Sequence, residues 1–122
     1  MQILAIALGG AVGAVSRYWV MNMSGTIWGM DLGLAIVNII GSFALGVVVV
    51  LFASLPNHSI LSAALLIGFL GAFTTFSTFV YDCVRLFQSN QASAALGTVL
   101  MHQLLGILAI LAGLWLGKFL IR

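Results

Sequence analysis

Apolar residues fill four long segments of the chain, and short polar connectors separate them. The segments cover about residues 3–21, 32–53, 60–87 and 93–116. Each has the roughly 20 mainly apolar residues that a helix needs to cross the hydrocarbon core of a bilayer. The pattern therefore predicts an all-α membrane protein with four transmembrane helices in a single transmembrane domain, residues 1–122.

The connectors hold residues that end helices. Residues 22–31 contain two glycines, residues 54–59 contain the only proline, and residues 88–91 read Gln-Ser-Asn-Gln. All three are short, so no soluble domain is expected between the spans. No basic side chain precedes the first apolar run, whereas a signal peptide has a positive n-region. We therefore expect this run to be retained as the first membrane helix.

The third segment predicts an interrupted helix. Gly68 and Gly71 precede four hydroxyl residues within five positions, in the stretch 74–78. Inside a bilayer, backbone that leaves helical geometry must be satisfied by protein or by a water-filled cavity. We expect a helix break here, near the membrane midplane.

Composition supports a lipid environment and excludes several function classes. The chain is 63% hydrophobic and 5% charged, whereas soluble domains have about 45–50% apolar and about 25% charged residues. A net charge of +2 provides no basic patch for a nucleic acid, so no nucleic-acid partner is expected. Cys83 is the only cysteine, which excludes an intrachain disulfide and a cysteine zinc site within one chain.

The basic residues leave the membrane orientation open. With a cytoplasmic N-terminus, Lys118 and Arg122 lie inside, while Arg17 and Arg85 lie near the outer ends. The positive-inside rule needs an excess on one side. Two alternatives remain: insertion in both orientations, which would give an antiparallel dimer, or one orientation set by the terminal pair.

Three pairs of small residues recur at four-residue spacing. Small residues at this interval let helix backbones approach closely in lipid, with a partner in the same chain or in another. The pairs are Gly9 and Gly13, Ser42 and Gly46, and Gly113 and Gly117.

Two polar features lie near helix ends. Arg17 could extend to the lipid headgroups or hold a positive potential at an anion entrance. Asp82 and Arg85 are three residues apart, which favours an i,i+3 ion pair over an Asp82 that faces a vestibule.

Two further polar residues lie within spans, where polar groups are costly and each is a functional candidate. Asn38, one turn before Ser42, could form an interhelical hydrogen bond or coordinate an anion through its amide N–H groups. His102 could be a neutral imidazole bonded to a neighbouring helix, or it could line a polar pathway and bring pH dependence.

Phe76 and Phe79 are three residues apart and share one helical face. Aromatic rings have a positive edge, so two rings met edge-on can favour an anion without a full charge. Nearby hydroxyls offer hydrogen bonds in place of lost water. The alternatives are two core phenylalanines, or a cation site formed by backbone carbonyls at the break.

The middle of each span lacks a carboxylate, since Asp31 and Asp82 are both near ends. This argues against a proton-coupled multidrug exporter, which usually needs an intramembrane acid. A non-transporting membrane subunit would leave Asn38 and the hydroxyl cluster unexplained. No phosphate loop, metal-ligand cluster or nucleophile–base pair is present, so the sequence does not indicate an enzyme.

Three motifs in order resemble the Fluc (CrcB) fluoride channels over nearly the whole chain. They are Gly9-Gly10-Ala11-Val12-Gly13-Ala14 leading to Arg17-Tyr18, Asn38 with Gly41-Ser42-Phe43 and Gly46, and Gly68-Phe69-Leu70-Gly71 followed by Thr74-Thr75-Phe76-Ser77-Thr78-Phe79.

The resemblance implies passive fluoride export and fluoride resistance through an antiparallel, dual-topology homodimer in the bacterial inner membrane. It implies a sodium ion at the dimer centre, bound by the backbone carbonyls of Gly71 and Thr74. Fluoride would meet Asn38 and an aromatic box, and Arg17 would serve the vestibule. Phe76 and Phe79 would form the box. Ser77 and Thr78 would contribute to the polar track of the pore, with His102 near its fourth-helix part. Family hydroxyls lower on the fourth helix are replaced here by Gly106 and Ile110.

Overall fold

Four long helical segments form the chain in the computed structural model, which describes residues 1–56 and 58–122. All four are long and apolar enough to cross a membrane. They are α1 (Gln2–Met23), α2 (Leu32–Ala53), a compound third segment (Ser59–Gln88) and α6 (Ala92–Leu120). The predicted ends at 21 and 116 fall short of the first and fourth helices, which continue through the polar residues Asn22 and Lys118. Asn57, a predicted turn residue, lies outside the described residues.

The third segment is built from several short elements. One turn of α-helix, α3 (Ser59–Ser62), leads into a π-helix (Ala63–Leu70) and then α4 (Gly71–Phe73). Two residues follow in extended conformation, Thr74 with φ −80° and ψ 157° and Thr75 with φ −149° and ψ 121°. Helix α5 (Phe76–Gln88) then begins, capped where the Thr75 hydroxyl accepts from the Thr78 N–H.

The connector between α1 and α2 is a small hairpin, a local feature of an otherwise helical chain that the sequence did not predict. Strands β1 (Thr26–Ile27) and β2 (Met30–Asp31) pair antiparallel around a two-residue turn. Trp28 has φ 51° and Gly29 has φ 81°, and positive φ at both central residues is what a type I′ hairpin turn requires. Asp31 then caps α2 by accepting from the Leu34 N–H at 3.0 Å.

Helix packing follows the small-residue pairs, and their partners lie in the same chain. Helix α1 packs along the π-helix, and α2 packs along α6. A Cβ atom added at Gly9 would overlap the carbonyl oxygen of Ala64, and one at Gly13 would overlap that of Phe69. At Gly113 it would overlap the Phe43 carbonyl oxygen. The prediction that these residues allow close backbone approach is confirmed.

The outer surface of the bundle is apolar. Large side chains of α1 and α6, such as Leu4, Leu8, Leu104 and Leu108, are exposed, whereas Leu34 and Val37 of α2 are fully buried. Apolar patches of this extent mark a lipid or protein contact surface. Helix α2 and the interrupted third segment therefore form the interior of the bundle.

Candidate functional site

A cavity of about 300 Å³ lies between α2, the interrupted third segment and α6. Both polar and apolar side chains line it. Six of the predicted site residues line the cavity, namely Asn38, Gly71, Thr74, Phe76, Phe79 and His102. The structure thus brings together residues from three segments of the chain, whereas Arg17, Ser77 and Thr78 are not among the lining residues.

Asn38 bridges α2 to the break in the third segment. Its Oδ1 accepts from the Thr75 N–H at 2.8 Å, and its Nδ2 donates to the Thr75 carbonyl at 3.1 Å. One side-chain amide therefore satisfies both backbone groups of a buried residue that has left helical geometry. The interhelical hydrogen bond that the sequence predicted is confirmed. The second N–H of the amide is left for another acceptor in the cavity.

The hydroxyl residues form a chain around the start of α5. Thr75 Oγ1 lies 3.0 Å from Thr78 Oγ1 and 3.4 Å from Ser77 Oγ. The same oxygen accepts from the Thr78 N–H at 3.3 Å. Because each hydroxyl can both donate and accept, this cluster can reorient its hydrogens toward a charge. Thr75 lines the cavity and links Ser77 and Thr78 to it.

The two phenylalanines differ in burial although their rings are neighbours. Phe76 and Phe79 have ring centroids 5.8 Å apart and planes tilted by 46°. Phe79 is 7% exposed and its ring centroid lies 4.7 Å from that of His102, whereas Phe76 is 74% exposed. Within one chain Phe79 is therefore a core residue, whereas Phe76 is not.

His102 bonds to its own helix rather than to a neighbouring one, which corrects that prediction. Its Nδ1 lies 2.9 Å from the Thr98 carbonyl oxygen, one turn earlier in α6. A carbonyl only accepts, so Nδ1 carries the hydrogen, and Nε2 of the neutral ring is an acceptor. Nε2 is buried and has no hydrogen-bond partner among the described residues. In this tautomer His102 presents a lone pair, not a donor.

Arg17, on α1, also contacts the break. Its Nη1 donates to the Thr74 carbonyl at 3.4 Å, and the residue is half-buried. The side chain is therefore directed into the protein and does not simply extend along lipid, as the headgroup interpretation would require. A distance of 3.4 Å exceeds the usual range for an N–H···O hydrogen bond, so the interaction is weak.

The carbonyl groups of Gly71 and Thr74 are among those at the break that have lost their helical donors. In a continuous α-helix the Gly71 carbonyl would accept from the Thr75 N–H, which here donates to Asn38. The Thr74 carbonyl would accept from the Thr78 N–H, which donates to the Thr75 hydroxyl. Unwound backbone carbonyls of interrupted membrane helices are suitable sodium ligands. The donor set at Gly71 and Thr74 therefore fits the ion that the family resemblance implies.

Asp82 and Arg85 form the predicted i,i+3 ion pair. The Arg85 Nη2 lies 2.5 Å from Asp82 Oδ1, and Arg85 Nε donates to the same oxygen at 3.0 Å. Nη2 also donates to the Gly29 carbonyl at 3.1 Å, which ties α5 to the hairpin. Asp82 is 5% exposed, so the carboxylate is enclosed between elements and does not lie open to a vestibule.

Sequence reasoning missed two polar residues that line the cavity. Thr75 was assigned to the break alone, yet it organises both the Asn38 contact and the hydroxyl cluster. Gln103 lines the cavity beside His102. The signal available for Gln103 was an amide within a membrane span, because polar groups inside a bilayer are functional candidates.

The chain matches a family model described as CrcB-like protein, Camphor Resistance (CrcB), over residues 4–114. The chain belongs to the CrcB family. Similar curated proteins named fluoride-specific ion channel FluC come from Hydrogenovibrio crunogenus, 37% identical over 97% of this chain and 92% of the relative, and from Dehalococcoides mccartyi, 40% identical over 98% and 94%. A Hahella chejuensis protein of the same name is 40% identical over 98% of this chain and 97% of its own length. Together with its four apolar helices, this membership makes the chain a multi-pass membrane protein.

Proposed function

We propose that this protein is a fluoride channel that lets the anion leave the cell down its electrochemical gradient and so confers fluoride resistance. Close relatives carry the name of a fluoride-specific channel. The observation in the chain itself that carries the proposal is the cavity where Asn38, Thr75 and Phe79 meet.

Fluoride is strongly hydrated, so a pore that selects it must replace much of its water with hydrogen-bond donors. In this proposal the free N–H of Asn38 and the Thr75 hydroxyl supply donors at the cavity, and the hydroxyls of Ser77 and Thr78 extend the polar track through their contacts with Thr75. The ring edges of Phe76 and Phe79 supply positive electrostatic potential without a fixed charge. A site without a full cation holds the ion weakly enough to release it, which conduction requires.

His102 and Arg17 have different places in this scheme. The ring of His102 packs against Phe79 and lines the part of the pathway that α6 contributes. Because its Nδ1 is engaged by the Thr98 carbonyl and its buried Nε2 is then an acceptor, this residue shapes the path and does not donate to fluoride. Arg17 contributes positive potential to the vestibule, as the family resemblance implies.

The assembly we propose is an antiparallel, dual-topology homodimer in the bacterial inner membrane, with the break in the third segment near the midplane. The outward-facing ring of Phe76, 74% exposed in one chain, would be covered by the partner. A sodium ion at the dimer centre would be held by the Gly71 and Thr74 carbonyls and would neutralise their partial charges. Carbonyl groups that lack donors in a bilayer need such a partner.

A proton-coupled exporter is not supported by the placement of the acidic residues. Asp31 caps α2, and Asp82 pairs with Arg85 near the end of the third segment. Neither carboxylate lines the cavity. Passive conduction needs no titrating acid in the pathway.

The proposal is tested by fluoride efflux from liposomes that contain the purified protein, with valinomycin to clamp the voltage and a fluoride electrode as the readout. We expect rapid fluoride loss without a proton gradient and little chloride loss from the same vesicles. Well-folded protein that releases no fluoride would rule out the channel.

A further inference from the structure

We propose that Arg17 is a positioning residue of the sodium site, and that its charge lowers the affinity of this site for the ion. The inference rests on the sodium site of the proposed function and adds a residue that sets its strength. The observation behind it is that the Thr74 carbonyl, one of the two groups assigned to sodium, already accepts from the Arg17 guanidinium.

Arg17 is a cation without an acidic partner among the described residues. The ion pair found in that part of the chain joins Arg85 to Asp82, at the far end of α5. The hydrogen-bond partner of Arg17 is the Thr74 carbonyl, at the point where the helix is interrupted. Its charge is therefore directed at the break and is not neutralised locally.

The carbonyl of Thr74 can serve two partners because its oxygen has two lone pairs. Two nearby carbonyls are already engaged, since the Thr75 carbonyl accepts from Asn38 and the Leu70 carbonyl accepts from the Thr74 N–H and hydroxyl. A guanidinium and a sodium ion on one oxygen must lie close together. Their like charges repel, and the partly buried location limits screening by solvent.

Repulsion and preorganisation have opposite effects on affinity, and their magnitudes decide between them. Arg17 orients the carbonyl through a single bond at 3.4 Å, which is long and therefore weak. Two unit charges about 6 Å apart, at the effective dielectric constant of a partly buried site, repel enough to change a binding constant by about tenfold to a hundredfold. Repulsion is the larger effect, so removal of the charge should tighten sodium binding.

The test measures the thermal unfolding midpoint of the detergent-purified protein at rising sodium chloride, with N-methylglucamine chloride holding ionic strength constant. For Arg17→Gln we expect the half-saturating sodium concentration to fall at least about tenfold. Arg17→Lys, which keeps the charge, should stay close to the wild type. Lys118→Gln is the matched control, because this exposed residue lies at the end of α6, away from the break.

An unchanged or higher half-saturating concentration in Arg17→Gln overturns the inference, and so does a wild type that does not respond to sodium. If Arg17→Gln does not fold, Arg17→His provides the comparison within one protein, because its charge is lost as the pH rises from about 5.5 to about 8. If the sodium affinity of Arg17→His does not rise over this pH range relative to the wild type, the inference is also overturned. Fluoride efflux of the wild type remains the separate test of the proposed function.

Discussion

Replacing Asn38 by leucine should destabilise the protein, because one amide holds both backbone groups of Thr75. Leucine keeps the approximate shape of the side chain but removes the acceptor at 2.8 Å and the donor at 3.1 Å. Thr75 is 7% exposed and has no helical partners at this position. The substitution therefore leaves one N–H and one C=O unsatisfied at the break.

Two estimates set the size of this effect. A buried group that loses its partner costs about 1–3 kcal/mol, whereas hydrogen bonds between membrane helices contribute about 0.6 kcal/mol on average and at most about 1.7. The adjoining cavity of about 300 Å³ can admit water to the released groups. This favours the lower part of the range, about 1 kcal/mol for each of the two released groups, so we expect Asn38→Leu to lose about 2 kcal/mol of unfolding free energy.

The assay is equilibrium unfolding in mixed micelles with a rising fraction of denaturing detergent. Asn22→Leu is the matched control, because the Asn22 amide is exposed and donates to the Tyr18 carbonyl one turn earlier in its own helix. We expect a loss below about 0.5 kcal/mol for this surface change. Equal losses for the two variants would refute the role of Asn38 as the residue that holds the break.

Three further substitutions test packing, charge and the ring edges. Gly113→Ala should lower the free energy of unfolding by about 1–3 kcal/mol, because the added methyl group overlaps a backbone carbonyl. Gly97→Ala, whose methyl group would make ordinary contacts, should be neutral or stabilising in the same assay. Arg85→Met should cost about 1–3 kcal/mol, because it leaves the buried carboxylate of its ion pair without a donor; no change would refute this role. Phe76→Leu removes a ring edge and should lower liposomal fluoride efflux about tenfold or more, which corresponds to a barrier higher by about 1–2 kcal/mol. Phe87→Leu is the control and should leave efflux unchanged. Equal rates for the two variants would contradict the aromatic path.

The four spans and their packing could be predicted because the information is local in the sequence. Uninterrupted apolar runs give the helices, and the four-residue spacing of Gly9 and Gly13 marks a close backbone contact. The partner of that contact, the π-helix Ala63–Leu70, was not predictable as a π-helix. Its residues are almost uniformly apolar, and an ordinary α-helix would have the same pattern.

The site was predicted in its residue types more than in its contacts. The sequence marks Asn38 and Arg17 as polar groups that need a partner, but those partners lie 37 and 57 residues away, at the break. Only the packing of α1 and α2 against the third segment brings them together. The hairpin was also only partly predictable. Gly29 favours a turn, but no local signal in the sequence indicates the positive φ of Trp28.

The measurement that tests passive fluoride conduction most directly is the reversal potential of the current in a planar bilayer, under a tenfold fluoride gradient with equal chloride on both sides. A fluoride-selective channel should reverse near the fluoride equilibrium potential, about 59 mV from zero for a monovalent ion. An added pH gradient should not move this value. Reversal at zero, or a reversal potential that follows the pH gradient, would contradict a passive fluoride channel.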